Sequence, residues 1–314
     1  MNKFIIILVV VLIIITYFSF KQKPITIFNS YYVKGYNDLK YRSSFNYTQA
    51  GITKIIIKTS WHKRESLPEK MISALKISEE LNPDYTLYYF DNDEIDQFMS
   101  DFSPVVFNYY RKLVPGAFKA DLFRACCLYR FGGCYSDIGH IMLKPFDMIC
   151  GDANIVLVSD YKVYDVGLFV IKNVNYTGIH NALMCCVKEH PFFKALIDKT
   201  CENIANNYYG ENPLDITGPT MIGKVFNCYF GNKCDYINEN IMKYGISDYN
   251  CDKCKIKILK LTAKLYVPKF TFYIQDIHGN DLVRTKFDNY YEVMYHSKKT
   301  PKYGELWDKR KVYK

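Results

Sequence analysis

The sequence predicts an α/β sandwich on a mainly parallel sheet. Three observations carry this. Short β-branched or aromatic runs, Ile52–Thr59 and Tyr85–Phe90 first among them, alternate with stretches of helical period. The run ITKIIIKT lacks the strict alternation of a half-buried strand and suits one covered on both faces. Helix-stopping clusters, Asn82-Pro83-Asp84, Pro115-Gly116 and Gly132-Gly133, punctuate the junctions.

Taken in order, Phe4–Phe20 comes first. It carries no charge and is near the lower limit for spanning a bilayer, roughly 17–25 residues. Tyr17, Phe18, Phe20 and Lys21 stand where a signal-peptide cleavage site would need small residues, so an uncleaved anchor over 1–23 is the reading. Residues 24–50 have no clear period and read as a stem. Strand Ile52–Thr59 follows. After Pro68, Met71, Ala74, Ile77 and Leu81 recur at helical spacing. Tyr85–Phe90 is a second strand, and Asp91-Asn92-Asp93 caps a helix running to Met99. Pro104 opens another helix, which ends near Pro115-Gly116. Ala117–Arg130 is a strong helix stopped by Gly132-Gly133. Cys134–Asp137, Ile155–Ser159 and Leu168–Ile171 are further short strands. In such sheets ligands bind beyond the carboxyl ends of the strands, where Trp61, Asp91 and Asp137 fall.

The chain has 314 residues, 49% of them hydrophobic, enough for a proper core and against disorder. Its net charge of +9 is partly local, since basic residues outnumber Glu305 and Asp308 between Lys298 and Lys314. That tail reads as a solvated end. No stripe of interleaved basic and aromatic residues points to nucleic acid. Tyr, Asn, Lys and Ile are heavily used, which fits an AT-rich genome, a large DNA virus among the sources. There are 11 Cys. The adjacent pairs Cys126–Cys127 and Cys185–Cys186, in helix-like apolar stretches, read as buried thiols. Cys228, Cys234, Cys251 and Cys254 cluster in a polar, loop-like segment, where disulfides, zinc and free thiols all remain open. Asn46-Tyr-Thr48 and Asn175-Tyr-Thr177 are sequons, common by chance.

Chemistry concentrates between Lys119 and Phe146. Asp121 and Arg124 stand three apart and share one face of an otherwise apolar helix. A solvated ion pair there would be worth little. On a buried helix, such a pair needs partners, and a sugar clamp would supply them: carboxylate to hydroxyls, guanidinium to oxygens. The chain then runs Phe131-Gly132-Gly133-Cys134-Tyr135-Ser136-Asp137-Ile138-Gly139-His140. An acid at a strand end can hold Mg²⁺ or Mn²⁺, whose charge would stabilise a departing diphosphate.

The pattern Ala120-Asp121-x-x-Arg124, Gly132-Gly133-Cys134-Tyr135-Ser136-Asp137 and Lys144-Pro145-Phe146 resembles glycosyltransferase family 32, the Och1-like transferases with a DXD sugar-binding motif. Ile52–Trp61, Asn82–Tyr85, Ile179–Ala182, His190-Pro191 and Thr217-Gly218-Pro219 extend the resemblance over roughly Gly51 to Thr220, with a weaker end near His296 and Trp307. It implies a GT-A-like, Rossmann-type fold, a nucleotide-sugar donor, a glycan, glycolipid or glycoprotein acceptor, a divalent cation, and retention of configuration. It implies a glycosyltransferase domain over 51–314, with a donor-binding core at 51–220 and an acceptor or closing region at 221–314. It places the catalytic part behind a single-pass anchor, on the lumenal side of a Golgi- or ER-like membrane or on a virus-associated one. Asp121 and Arg124 would hold the donor sugar together with Ala120 and Tyr135. Asp137 would contact ribose or sugar and help bind metal, and Trp61 would stack on the base. One departure stands out. The motif's second acid is Gly139 here, which leaves His140 and His296 as alternative metal ligands and puts the cation itself in question.

Overall fold

The computed structural model describes residues 51–165, 170–172, 178–230, 249–251, 254–266, 269–295 and 301–314. They fall in one compact unit, Leu39–Lys314. The anchor, the stem, both sequons, Cys234, the side chain of Cys251 and His296 lie outside the described residues. Among those described, no helix is long and apolar enough to cross a membrane.

Strand β1 (Ile55–Thr59) leads through helix α1 (Glu69–Glu80) to β2 (Thr86–Phe90). The chain continues through α2 (Asn92–Phe102), α3 (Pro104–Lys112) and α4 (Gly116–Phe131) into β3 (Gly133–Ser136). Asp91 caps α2 as the sequence predicts. Its carboxylate accepts from the Asp93 and Glu94 N–H groups, and the Glu94 side chain accepts from the N–H of Asp91. Such a cap is worth about 1 kcal/mol. Between α4 and β3 the glycines are obligatory. Gly132 and Gly133 have φ of 67° and 83°, and a β-carbon on either would come within 2.6 Å of backbone, at Lys188 N and Ile55 O respectively.

Next come β4 (Ile141–Met142), α5 (Phe146–Cys150), β5 (Ile155–Asp165), β6 (Val170–Lys172) and β7 (Leu183–Cys186). Then follow α6 (Pro191–Ala205), α7 (Pro219–Phe230), β8 (Tyr249–Cys251), β9 (Cys254–Tyr266), β10 (Lys269–Gln275) and β11 (Asp281–Arg284), with α8 (Tyr290–Tyr295) and α9 (Tyr303–Asp308) after them. The sheet order is β2-β1-β3-β7-β5-β9-β10-β11-β4, with β6 beside β5 and β8 beside β9.

The expectation of a mainly parallel sheet needs correction. Pairing is parallel at β1–β2, β1–β3 and β5–β9, and antiparallel at every other neighbouring pair among the described strands. Parallel neighbours need a long crossover, which α1 supplies for β1–β2. Only two residues separate β9 from β10, and such a link permits antiparallel pairing alone.

Core residues lie on both faces of the sheet. Ile57, Tyr135 and Cys186 join α2, α4, α6 and α7 on one side, while Ile56, Cys134 and Cys185 join α5 on the other. Successive strand residues face opposite ways, so one run serves two cores. Cys126, Cys127, Cys185 and Cys186 are buried thiols as expected, though Cys185 and Cys186 sit in a strand rather than a helix. Cys228 is exposed on α7 and Cys254 buried at the start of β9.

His190 caps α6 from inside this core. It is fully buried, its Nδ1 accepts from Phe192 N–H at 3.2 Å, and its Nε2 lies 3.5 Å from Cys254 Sγ. Burial lowers its pKa to about 3. In the unfolded chain a histidine protonates near pH 6.5, so between pH 6.5 and 3 the unfolded state binds a proton that the folded state refuses. Stability therefore falls as pH drops through that window, by up to about 5 kcal/mol. His190→Asn keeps an acceptor at the cap and removes the titration. Denaturant melts between pH 4 and 7 are expected to show a shallower acid limb than wild type. An unchanged slope would assign acid sensitivity to other groups.

Candidate active site

The site forms where α4 passes the end of β3. Asp121 and Arg124 project from one face of α4, and Asp137 follows directly on β3, its N–H held by Ala182 O at 2.8 Å. The side chains of Arg124 and Asp121 are 9% and 11% exposed, so a solvated surface pair is ruled out. Arg124 lies 3.5 Å from Asp121 Oδ1 and 3.5 Å from Asp137 Oδ1. It also donates to Asn181 O at 2.6 Å and to Ala120 O at 3.2 Å. Its guanidinium carbon sits 4.6 Å from the centre of the Tyr135 ring, within cation–π range. Burial alone would lower its pKa, but Tyr135, Asp137 and Asp121 outweigh that and raise it.

The two carboxylates have different freedom. Asp121 is held on both oxygens. Asn181 Nδ2 donates to Oδ1 at 2.8 Å, and Thr217 Oγ1 donates to Oδ2 at 2.7 Å. Burial pushes its carboxyl above the usual range, against the pull of Arg124, Thr217 and Asn181. The Gly218 loop passes close by: a β-carbon there would lie 3.5 Å from Asp121 Oδ2. Asp137 is 35% exposed at its side chain, and Tyr135 Oη donates to its Oδ1 at 2.9 Å. Of the three charged residues it is the most exposed to solvent, and so to a ligand.

Beneath Asp137 lies a buried polar layer. Lys58, on β1, is fully buried and donates to Ser136 Oγ at 3.2 Å and to Asp137 O at 3.3 Å. Burial lowers its pKa to about 8, although Asp137 works the other way. Ser136 Oγ meets His140 Nδ1 at 3.0 Å, and the His140 ring stacks on His180. His140 follows a tight turn closed by its N–H on Asp137 O, not an extended strand. Burial, then Lys58, His180, Arg124 and Lys286, lowers its pKa well below the usual range and keeps the imidazole neutral.

Gly139, at the tip of that turn, lies under Tyr290 of α8. A β-carbon on Gly139 would be 2.3 Å from Tyr290 Cε2 and 2.8 Å from Cδ2. Lys286 Nζ stands 5.4 Å from the centre of the same ring. Trp61 is partly buried and packs, like Tyr290, on a small core that includes Ile138.

The structure thus unites Ala120, Asp121, Arg124, Tyr135 and Asp137. It gives Tyr135 a holding role, since the ring is buried and its hydroxyl is spent on Asp137. Asn181 and Thr217 lie in segments that the resemblance singles out, though without a role there. Lys58, Ser136 and Tyr290 gave no signal in the sequence. Among the described residues, the set of three His, Cys or carboxylate ligand atoms drawn within 4.8 Å is Cys134, Cys150 and Cys185 in the apolar core, not a set at Asp137.

Comparison with known proteins agrees with this geometry. Residues 68–156 match the family model described as a glycosyltransferase sugar-binding region containing a DXD motif. The chain is 25% identical over 195 residues to inositol phosphoceramide mannosyltransferase 3 of Schizosaccharomyces pombe, covering 62% of this chain and 50% of that protein. It is 26% identical over 180 residues to a mannosyl phosphorylinositol ceramide synthase of Saccharomyces cerevisiae, covering 57% and 43%. Over 96 residues it is 30% identical to an initiation-specific alpha-1,6-mannosyltransferase of Candida albicans, covering 30% and 25%. The chain thus spans half or less of the length of these relatives, and nothing in them supports a viral source. A solved structure, PaToxG glycosyltransferase, is similar at 19% identity and a TM-score of 0.40 over 56% of this chain and 69% of its own, too slight to bear on the fold. Residues 68–156 of this chain therefore match a sugar-binding region of the DXD glycosyltransferase type.

Proposed function

We propose that this chain is a glycosyltransferase with a GT-A-like fold. It takes a sugar from a nucleotide-sugar donor and places it on a hydroxyl of a glycan, glycolipid or glycoprotein, with retention of configuration. The supporting observation is the buried Asp121–Arg124–Asp137 constellation, with Asn181, Thr217 and Tyr135 holding its members in place. The bond from the sugar's anomeric carbon to the diphosphate breaks, and its electron pair leaves with the diphosphate oxygen. The acceptor hydroxyl forms the new bond and gives up its proton to that oxygen or to solvent. Asp137 accepts hydrogen bonds from sugar or ribose hydroxyls, and Arg124 fixes Asp137 and adds positive charge beside it. Trp61 remains a candidate platform for the base. The anchor Phe4–Phe20 would tether the domain to a membrane.

Transferases with a DXD motif generally use a divalent cation. Mg²⁺ takes about six oxygen ligands, and Mn²⁺ has similar tastes. Asp137 offers one carboxylate, already engaged with Tyr135 and Arg124, and position 139 offers none. The described residues form no dedicated cage for Mn²⁺ or Mg²⁺ at Asp137, and no step above runs through one. Gly139 also favours a second reading, a membrane-tethered protein that binds donor or glycan without turnover.

A donor screen decides between them. Release of nucleoside diphosphate is measured across common nucleotide sugars, with and without a mixed acceptor pool, in Mn²⁺ and in EDTA. Acceptor-dependent release from one donor is expected. Binding without release establishes the second reading, and the absence of both removes the first.

A further inference from the structure

We propose that this site handles its donor's diphosphate with side-chain cations, and that the ring of Tyr290 occupies the place of the second metal-binding acid. This rests on the transferase reading and concerns how the same site meets the charge of its leaving group. The family motif calls for two acids two residues apart. Here the second position is not a vacated one. Its space is taken by Tyr290, whose Cε2 and Cδ2 would lie 2.3 and 2.8 Å from any β-carbon at Gly139. No real β-carbon sits that close to a carbon atom, so an aspartate at 139 would require the Tyr290 ring to leave this place. Glycine and tyrosine therefore act as one unit.

The surroundings are also cationic. Lys58 donates to Asp137 O at 3.3 Å, Arg124 lies 3.5 Å from Asp137 Oδ1, and Lys286 stands over Tyr290, the ring that covers Gly139. Lys58 and Arg124 are buried, each fixed by hydrogen bonds. Lys286 is only partly buried. It lies over the rings of both Tyr290 and Tyr291, 5.4 and 4.1 Å from their centres, and donates to Tyr291 Oη at the end of a flexible stem. Among the described residues, a divalent cation placed here would meet three positive side chains and one available carboxylate. A diphosphate would meet the reverse, because the charge it needs is already built in. Lys286 and Arg124 are assigned that charge. Tyr290 covers the turn at Gly139 and carries Lys286 on its ring.

The test uses the full chain in detergent micelles and two probes, Mn²⁺ alone and inorganic pyrophosphate. Mn²⁺ binding is followed by electron paramagnetic resonance and pyrophosphate binding by calorimetry. In wild type, Mn²⁺ binding is expected to be the same as in Asp137→Ala, and pyrophosphate affinity the same in Mn²⁺ and in EDTA. Lys286→Ala is expected to weaken pyrophosphate by roughly tenfold or more, the effect of one lost charged hydrogen bond. Gly139→Asp combined with Tyr290→Gly is expected to gain Mn²⁺ binding that disappears when Asp137 is also changed. Tyr290→Phe keeps the ring and is expected to behave as wild type, which controls for folding. Mn²⁺ binding in wild type that depends on Asp137, or pyrophosphate binding abolished by EDTA, overturns the proposal. Undiminished pyrophosphate affinity in Lys286→Ala overturns the charge assignment. A correctly folded double variant that gains no Mn²⁺ site overturns the role of Tyr290. None of these readouts requires turnover, so failure of the donor screen would strike the transferase reading separately.

Discussion

Asp137→Asn lowers kcat/KM for the donor by about a hundred- to a thousand-fold while leaving the thermal melt close to that of wild type. The magnitude is that of removing one preorganised polar group from an active site. The split between activity and stability follows from the geometry. Asp137 is 35% exposed and sits at the end of β3, so it contributes little to the core. Asparagine keeps the volume and still offers an oxygen to Tyr135 Oη, but it removes the charge facing the donor. Arg124 retains Asp121, so the guanidinium is not stranded. Steady-state kinetics with the donor found by the screen, beside circular-dichroism melts, check both halves. A wild-type kcat/KM would remove Asp137 from the site. A loss of activity matched by a large drop in melting temperature would instead make it a structural acid.

The helices and the site's acids were legible in the sequence because local rules govern both. Proline, aspartate and glycine at fixed places set both bounds of α4 and the starts of α2 and α3 to within a residue or two, while the C-terminal ends of α2 and α3 fell three residues away. Asp121 and Arg124 could be paired from spacing alone, and their burial followed from the apolar helix around them. The strands were harder. β7, β9, β10 and β11 went unread; β7, LMCC, is buried throughout, carries no alternation and looks like short buried helix, whereas β9 and β10 do alternate in CKIKI and KFTF, a period-2 signal the expectation left out. The parallel expectation failed for a related reason. Strand direction depends on which strands become neighbours, and no local pattern in this chain records that β7 inserts between β3 and β5.

Lys58 shows the same limit within the site. ITKIIIKT contains two lysines, one on the outside at Lys54 and one fully buried at Lys58. Only the packing of β1 between β2 and β3 separates them. Tyr290 is a further case, 151 positions from Gly139 in the chain yet in contact with it, a pairing that one sequence cannot reveal. Gly139 by itself read as a lost acid. With Tyr290 over it, the glycine is the residue that this packing requires.

Arg124→Lys is expected to be costly twice over, in stability and in donor binding. The planar guanidinium reaches Asp121, Asp137, the Asn181 carbonyl and the Ala120 carbonyl at once while lying over Tyr135. An ammonium is a compact charge and cannot span that set. At least one carboxylate, with Asp121 the more deeply buried, then loses its partner inside the protein. Breaking a buried pair in this way costs about 3–5 kcal/mol, more than any single surface pair in the molecule. For a domain of this size that corresponds to a fall of roughly 6–20 °C in melting temperature. Donor affinity should fall a further ten- to hundred-fold, as for a lost charge-assisted hydrogen bond. The two effects separate in a double-mutant cycle with Asp121→Asn. Once Asp121 is neutral, the stability cost of Arg124→Lys shrinks, because the stranded charge is gone, while the loss in donor affinity persists. If both losses vanish together, Arg124 serves only to hold Asp121, and donor contact must be assigned to Asp137 alone. If neither shrinks, the critical partner is Asp137 and the Asn181 carbonyl, and Asp121 belongs to the loop of Thr217 rather than to the charge network.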